Sequence, residues 1–493
     1  MTRSKSSRFP VLLLLIAATF TGCAVGPDYE MPEYPVPDAW ESAASADVEG
    51  ETPPILDWWS ALGDPVLDSL MIRARDANLD LRIAVGRVSE ARAFRMISGG
   101  DFWPQVQGNG DYNWQDSPLV VDGPSESWNA SLGAVWELDL FGRVRRGREA
   151  ADARFHASIE DYRDVQVSLY AEVATSYVTV RSLQARIDYA VNNAESQRET
   201  MEIVTARQEA GLVPMLDVAR ARSNLANTEA AIPLLEAALA AERNRLSVLL
   251  GQPPGEAGLR IGDYQEMQAG PDSLRIALPA DLIRRRPDIR SAERRLAAQT
   301  AQVGVATAEL YPKFSLSGIF GVLSGSWDNL FTEDALQWSL TPGFSWNLFT
   351  GGKVRGQIKV EEARMAQALF EYEKAILTAL AEVESSVVAL QQQNIRRERL
   401  KVAVEAAQES VTLVRTQYIE GLTDFQAYLD AQRVLFDQQD ALAKSRGDVF
   451  VALAALNRAM GGGWSLEEPI PDLESLERAD ATTEDVEAQG EDR

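Results

Sequence analysis

The chain has 493 residues, 45% of them hydrophobic, and a formal net charge of −25. Such an acidic balance excludes nucleic acid as a partner. One cysteine excludes an intrachain disulfide, and one histidine, His156, in a polar helical context, leaves no material for a histidine metal site or a Ser-His-Asp triad. No Gly-rich phosphate loop, HExxH or CxxC occurs, so the expectation is no enzyme, no metal and no cofactor apart from covalent lipid.

Residues 1–22 read as a secretory signal. Arg3, Lys5 and Arg8 precede the apolar run Val11 to Ala18, and Thr21-Gly22 supplies small residues before Cys23. The run is too short to span a bilayer as a helix. Phe20-Thr21-Gly22-Cys23 resembles a bacterial lipobox, which implies a mature chain that starts at Cys23 and carries lipid there. Each buried CH₂ adds about 0.8 kcal/mol, so several acyl chains anchor firmly where one does not. Residues 23–58 are rich in Pro, Asp and Glu without a period and read as an extended strap.

From Trp58 to Gly99 the apolar residues Leu67, Leu70, Met71, Ala74, Leu81, Val85 and Val88 recur at helical spacing, with Asp64-Pro65 at the start. A hairpin follows over 104–140. Val106, Gly108, Gly110, Tyr112 and Trp114 alternate with polar residues, and after a Pro/Gly/Ser loop Leu132, Ala134, Trp136, Leu138 and Leu140 alternate again. Arg143 to Gln208 then carries apolar residues every three or four positions with no internal Pro, which predicts a helix of about 100 Å if continuous. Gly211-Leu212-Val213-Pro214 turns the chain, with Pro214 suited to the first helical position, and a return helix runs to Leu250-Gly251 with a kink expected at Pro233.

The same plan then recurs. Tyr311-Pro312 opens a hairpin over 312–348, in which Phe314, Leu316, Gly318 and Phe320 form one apolar row and Leu336, Trp338, Leu340, Phe344, Trp346 and Leu348 the other. Trp103-Pro104 and Tyr311-Pro312, like Leu140-Phe141 and Leu348-Phe349, stand 208 residues apart. Lys353 to Tyr418 is the second long helix, Gly421-Leu422-Thr423-Asp424 the second turn, with Thr423 or Asp424 as cap, and the return runs to Met460-Gly461. The expected organisation is therefore a signal peptide over 1–22, a strap over 23–58 and a first repeat over 59–262. A linker over 263–288, a second repeat over 289–462 and an acidic tail over 463–493 without apolar periodicity complete it.

Four amphipathic strands per chain suit either a soluble sandwich or part of a membrane barrel with its apolar face toward lipid. Four strands cannot close, a lipid-exposed edge is not tolerated, and about 8 strands is the usual minimum; three chains would give about 12. The long helices would form a second, coaxial barrel.

Several motifs are specific. They are Cys23-Ala-Val-Gly-Pro-Asp-Tyr29, Trp58-Trp59 with Asp64-Pro65, Leu278-Pro-x-x-Leu-Ile-x-Arg-Arg-Pro-Asp-Ile289, and the paired Gly turns followed by Leu429-Asp-Ala-Gln-Arg433. With them the chain, from Cys23 to Gly462, resembles the outer-membrane factor (TolC-like) family, in its lipoprotein branch serving RND-type efflux pumps. The resemblance implies a mainly α fold of long antiparallel helical hairpins forming an α-barrel, and a twelve-stranded membrane β-barrel shared by a homotrimer. It implies a gated, passive exit duct in the outer membrane of a Gram-negative bacterium, whose helices reach into the periplasm to meet an adaptor protein and an inner-membrane RND pump. Outer-membrane lipid is a further partner.

By the same resemblance Asp430 matches a ring of aspartates at the constriction, and Asp217 and Tyr418 match partners that latch adjacent hairpins through a phenol-to-carboxylate hydrogen bond. Gly211, Leu212, Gly421 and Leu422 match the tips that contact the adaptor. Thr423 and Gln426 depart from the pattern, standing where some members have a latching Arg and a Leu constriction. The alternatives in function are a duct for secreted polypeptides paired with an ABC transporter and a periplasmic coiled-coil scaffold without a pore. The motifs do not encode the exported compound in a legible form.

Overall fold

A computed structural model of the chain describes residues 24–41, 48–49, 56–116, 124–256, 261–262, 274–275 and 285–473. The expected signal peptide, the lipid-bearing Cys23, most of the linker and the end of the acidic tail lie outside these residues. Eleven main elements follow in chain order: α1 (Pro65–Ala77), α2 (Leu79–Gly100), β1 (Gln105–Asp116), β2 (Pro124–Leu138), α3 (Arg143–Glu209), α4 (Met215–Leu249), α5 (Pro287–Ala308), β3 (Lys313–Ser324), β4 (Leu336–Ser345), α6 (Lys353–Ile419) and α7 (Phe425–Ala459). The two long helices have 67 residues each and the two return helices 35 each.

Several boundaries correct the sequence reading. The helix expected from Trp58 to Gly99 is three pieces, a 3-10 turn over Trp58–Leu62, then α1, then α2. Asn78 makes the break. Its extended backbone ends α1, its Oδ1 accepts from Leu81 N at 2.9 Å to cap α2, and its Nδ2 donates to Leu249 O at 2.9 Å. The hairpins are shorter than 104–140 and 312–348, so Leu140, Trp346 and Leu348 fall beyond the strands. After β2 the chain turns because Asp139 accepts from the N–H groups of Val144 and Arg145 and so starts α3. Pro214 is the N-cap and not the first residue of α4. Its extended backbone points its carbonyl at Asp217 N, 3.0 Å away. α4 runs through Pro233 as one helix.

The chain forms two compact units. The first takes residues up to Tyr34, Arg87–Ile159 and Ser291–Lys374. It contains one antiparallel sheet in the order β1-β2-β3-β4. The register pairs Val106 with Ala134, Leu132 with Phe320, Trp136 with Leu316, Gly318 with Leu340 and Phe320 with Trp338. Directly opposed residues share a face, so the apolar rows of all four strands merge into one apolar surface, while Gln107, Asn109, Ser131, Ser317, Ser339 and Thr341 lie on the other. Trp338 is 74% exposed and Leu340 64%.

Within this unit the segment after Cys23 is held on α5. Gly26 has φ +91°, and a Cβ there would fall 2.4 Å from the Cα of Gly304, so two glycines are needed where the strap crosses the helix. Arg146 then donates to Asp28 at 2.6 Å, to Glu149 at 2.8 Å and to Val25 O at 3.3 Å, and the Tyr29 hydroxyl donates to Glu293. These contacts account for the Ala-Val-Gly-Pro-Asp-Tyr motif.

The second unit takes Pro35–Gly86, Glu160–Arg290 and the chain from Ala375. Its cores are heptad-like seams. Val383, Val387 and Leu390 of α6 bury against Val449, Ala452, Leu456 and Ala459 of α7, with Trp40 over them. Each such large side chain contributes about 1.5–3 kcal/mol. The Trp58-Trp59 and Asp64-Pro65 motifs also find their reason here. The ring of Trp59 lies 4.7 Å from that of Tyr170, and Asp64 caps α1 through Val66 N while accepting from the Tyr177 hydroxyl.

Candidate functional site: the helical tips

Both long helices end in the same way. Gly211 (φ +73°) and Gly421 (φ +75°) adopt the left-handed conformation that a Cβ disfavours. Leu212 N donates to Arg207 O at 2.9 Å and Gly211 N to Gln208 O at 2.8 Å. Leu422 N donates to Gln417 O at 2.8 Å and Gly421 N to Tyr418 O at 3.1 Å. Each pair is the double bond that closes a Schellman turn. Asp424 caps α7 by accepting from Ala427 N at 2.9 Å, so the cap is Asp424 and not Thr423. Leu212 and Leu422 remain 69% and 73% exposed, which leaves an apolar side chain at the apex of each turn.

A single apolar cluster packs the two tips together. Val204 of α3 and Val218 and Ala221 of α4 meet Tyr418 of α6 and Phe425, Tyr428 and Leu429 of α7. The ring of Tyr418 lies 5.2 Å from that of Phe425 and 6.1 Å from that of Tyr428. The Arg207 guanidinium sits 4.9 Å over the Tyr418 ring. Burial pushes the Tyr418 phenol up from its ordinary value, the Arg207 charge pulls it down, and the Asp217 carboxylate pushes it up again. Its hydroxyl is buried and makes no hydrogen bond among the described residues. Asp217 is itself buried and pairs with Arg220 at 3.9 Å. The fold thus brings Asp217 and Tyr418 into one cluster without a hydrogen bond between them in the single chain.

Asp430 lies apart from that cluster. Its side chain is exposed, accepts from Gln426 Nε2 at 2.9 Å and faces Arg433 at 3.6 Å, and Arg433 Nε in turn donates to Asn224 of α4 at 3.1 Å. The reading of the sequence missed Arg207, Phe425 and Tyr428. The spacing Phe425, Tyr428, Leu429 within α7, three and four residues from the first, is the helical apolar pattern that could have found the two aromatic residues. No grouping of three or more metal-ligating side chains occurs among the described residues, and none of their helices is long and apolar enough to cross a membrane.

With this geometry in hand, the comparisons with known proteins are direct. The profile of the outer membrane efflux protein family matches residues 70–252 and 278–462. The chain is 33% identical to the outer membrane protein OprJ of Pseudomonas aeruginosa over 480 residues, covering 92% of this chain and 96% of that one. It is 31% identical to the nodulation protein T of Rhizobium leguminosarum bv. trifolii, covering 90% and 95%. The solved outer-membrane channel OprN superposes with a TM-score of 0.85 at 37% identity over 90% of this chain and all of that one. The chain belongs to the outer membrane efflux protein family, whose channels have the TolC-like fold. It is a mostly helical outer-membrane efflux channel of the RND-associated type, with its helical part in the periplasm.

Proposed function

We propose that three copies of this chain form a gated, passive exit duct, with no catalytic step, in a tripartite RND-type efflux pump. The observation that carries the proposal is the sheet. One face carries the long apolar rows with Trp338 and Leu340 exposed, the other is mainly polar, and among the described residues its outer strands β1 and β4 have no neighbour on their far edges. An open sheet of this kind is unstable in lipid. Three of them closing edge to edge would give twelve strands, put every apolar row toward lipid and line the pore with Gln, Asn, Ser and Thr. The two sets of matching helices, read as an internal repeat, would continue the duct by about 100 Å. Cys23, lipidated, would anchor each chain beside the barrel. The exposed Leu212 and Leu422 at the tips would meet the periplasmic adaptor that links the duct to the inner-membrane pump.

The gate lies at the same end. Three Asp430 carboxylates around one axis would attract cations and oppose one another's ionisation. The buried, unsatisfied Tyr418 hydroxyl and Asp217 supply the donor and acceptor of a latch that only neighbouring hairpins complete. Single-channel recording in planar bilayers tests this. The wild-type trimer should conduct weakly. Tyr418→Phe combined with Asp217→Ala should raise conductance, and Asp430→Ala should weaken block by divalent cations. No conductance under any condition would reject the duct, and wild-type behaviour of the variants would reject the gate.

A further inference from the structure

An arginine-lined groove sits at the end of α2, immediately before β1. It has a volume of about 600 Å³ and is lined by Arg92, Arg95, Met96, Gly99, Trp103 and Arg148. Arg148 of α3 crosses over α2 at Gly99, where a Cβ would fall 2.4 Å from its Nη1. Of the three guanidinium groups, Arg95 is paired with Asp152 at 2.5 Å. Arg92 faces the ring of Phe155 at 5.9 Å, and among the described residues neither Arg92 nor Arg148 has an acidic partner. Of the acids nearby, Asp152 is held by Arg95 and flanked by His156 at 3.7 Å, Glu149 is bound by Arg146, and Asp101 makes no ion pair with any of the three arginines among the described residues. The groove therefore presents uncompensated positive charge beside two exposed apolar side chains, Met96 and Trp103.

The fold does not demand these arginines, because the chain carries its own control. Counting on 208 residues, Arg92, Arg95, Met96, Gly99 and Trp103 answer to Thr300, Val303, Gly304, Thr307 and Tyr311 on and after α5. Counted from Val144-Arg145 and Val354-Arg355 at the two helix starts, Arg148 answers to Ile358. The second site has no arginine at any of these positions. Its groove is filled, since the backbone of Gly26 lies on Gly304 and the side chain of Arg146 packs beside it. The strap that begins next to Cys23 thus covers the α5 face equivalent to the α2 face left open around Met96. Both helix ends are tied to the apolar side of the sheet in the same way, by Trp136 Nε1 donating to Phe102 O and Trp346 Nε1 to Leu310 O, each at 3.0 Å. One site carries protein over it, and the other carries free guanidinium groups.

We infer that the groove of Arg92, Arg95 and Arg148 binds the phosphate headgroup of an anionic phospholipid from the periplasmic leaflet. The inference rests on the reading that the hairpins lie in the outer membrane. The groove adjoins the first residues of β1, where such a strand enters the bilayer from the helical side. Guanidinium groups hold phosphate oxygens by paired, charge-assisted hydrogen bonds. Trp103 is the amphipathic ring that belongs at headgroup depth, and Met96 offers apolar surface to the start of the acyl chains. A zwitterionic lipid brings its own cation into the groove and is disfavoured there.

Native mass spectrometry of the full, delipidated trimer offered equal amounts of phosphatidylglycerol and phosphatidylcholine tests the inference, with planar-bilayer conductance measured on the same sample. The wild type should keep phosphatidylglycerol in clear preference. Arg92→Gln with Arg148→Gln should lower that preference by about tenfold or more, while Lys353→Gln with Lys359→Gln, which removes the same charge elsewhere, should leave it unchanged. A conducting wild type without preference, or a preference kept in the arginine variant, overturns the inference and leaves the duct standing. A sample that neither conducts nor retains lipid overturns both. Displacement of all bound lipid by inorganic phosphate alone assigns the groove to a free anion, and loss of the trimer in the arginine variant with lipid retention unchanged assigns it to a neighbouring chain's acid. Either result rejects the lipid.

Discussion

Arg286 Nη1 donates to the carbonyl oxygen of Ala459 at 2.8 Å and so fastens the start of α5 to the last turn of α7. The same guanidinium makes a fork on Asp288, at 2.9 and 2.7 Å, and reaches Glu382 of α6 at 2.7 Å, all from a buried position. This is the physical content of the Arg-Arg-Pro-Asp-Ile motif, in which the second arginine is a clamp among three helices.

Arg286→Met should therefore cost more than a surface ion pair. It strips Asp288 and Glu382 of their partner and leaves the Ala459 carbonyl unsatisfied, a loss of about 3–5 kcal/mol for a buried, hydrogen-bonded charge. The check is thermal unfolding of the detergent-extracted protein. A melting temperature equal to that of the wild type would show that the clamp is not structural.

The two faces of β4 should respond oppositely to charge. Leu340 stands opposite Gly318 on the apolar face, and Ser339 stands opposite Ile319 on the other. An arginine on a lipid face costs about 2–4 kcal/mol near the bilayer midplane, whereas a pore-lining arginine keeps its water. Leu340→Arg should reduce the yield of assembled trimer in outer-membrane fractions far more than Ser339→Arg. Equal yields would mean that the face assigned to lipid is wrong.

Beside the Arg286 clamp, Asp164 of α3 is pushed up to about 6, first by burial and then by the negative charge of Asp288, against the pull of Arg286 and Arg458. A carboxyl whose native value is raised favours the protonated fold. Its contribution is present below the unfolded value near 4 and is lost as pH rises through about 6. Melting temperature should accordingly decline between about pH 4 and 6 in the wild type through this group. Asp164→Asn should flatten that segment and stabilise the protein at neutral pH by about 1–2 kcal/mol, after allowance for its partial solvation. The measurement is a pH series of melting curves for the pair, and parallel curves across that window would dismiss the role given to Asp164.

The sequence by itself determined the plan of the protein. The strict alternation of the strand rows, the three-and-four spacing of the long helices and the positions of Gly211 and Gly421 are local facts. They fix strand, helix and turn because side-chain direction has a period of 2 in a strand and 3.6 in a helix. The specific motifs carried the family, and what they hold together became legible only afterwards. The strap crossing at Gly26 and Gly304 and the Arg286 clamp join residues far apart in the chain, and no period in a sequence records such a partnership.

Only the tertiary structure decided where the elements stop. Asn78 could be read as one more helical residue until its side chain was seen to cap α2 and bond Leu249 across the packing. Leu140 and Trp346 continue the alternation of their strands, yet Asp139 ends one strand by capping α3, and Trp346 beyond the other turns its indole to Leu310. At the tips, the sequence named Asp217 and Tyr418, and folding placed them in one cluster with Arg207, Phe425 and Tyr428. Among the described residues the Tyr418 hydroxyl has no bond and the sheet has two unpaired edges. Backbone and side-chain polarity is satisfied by whatever folding brings alongside it, and that surrounding is not written in the local sequence.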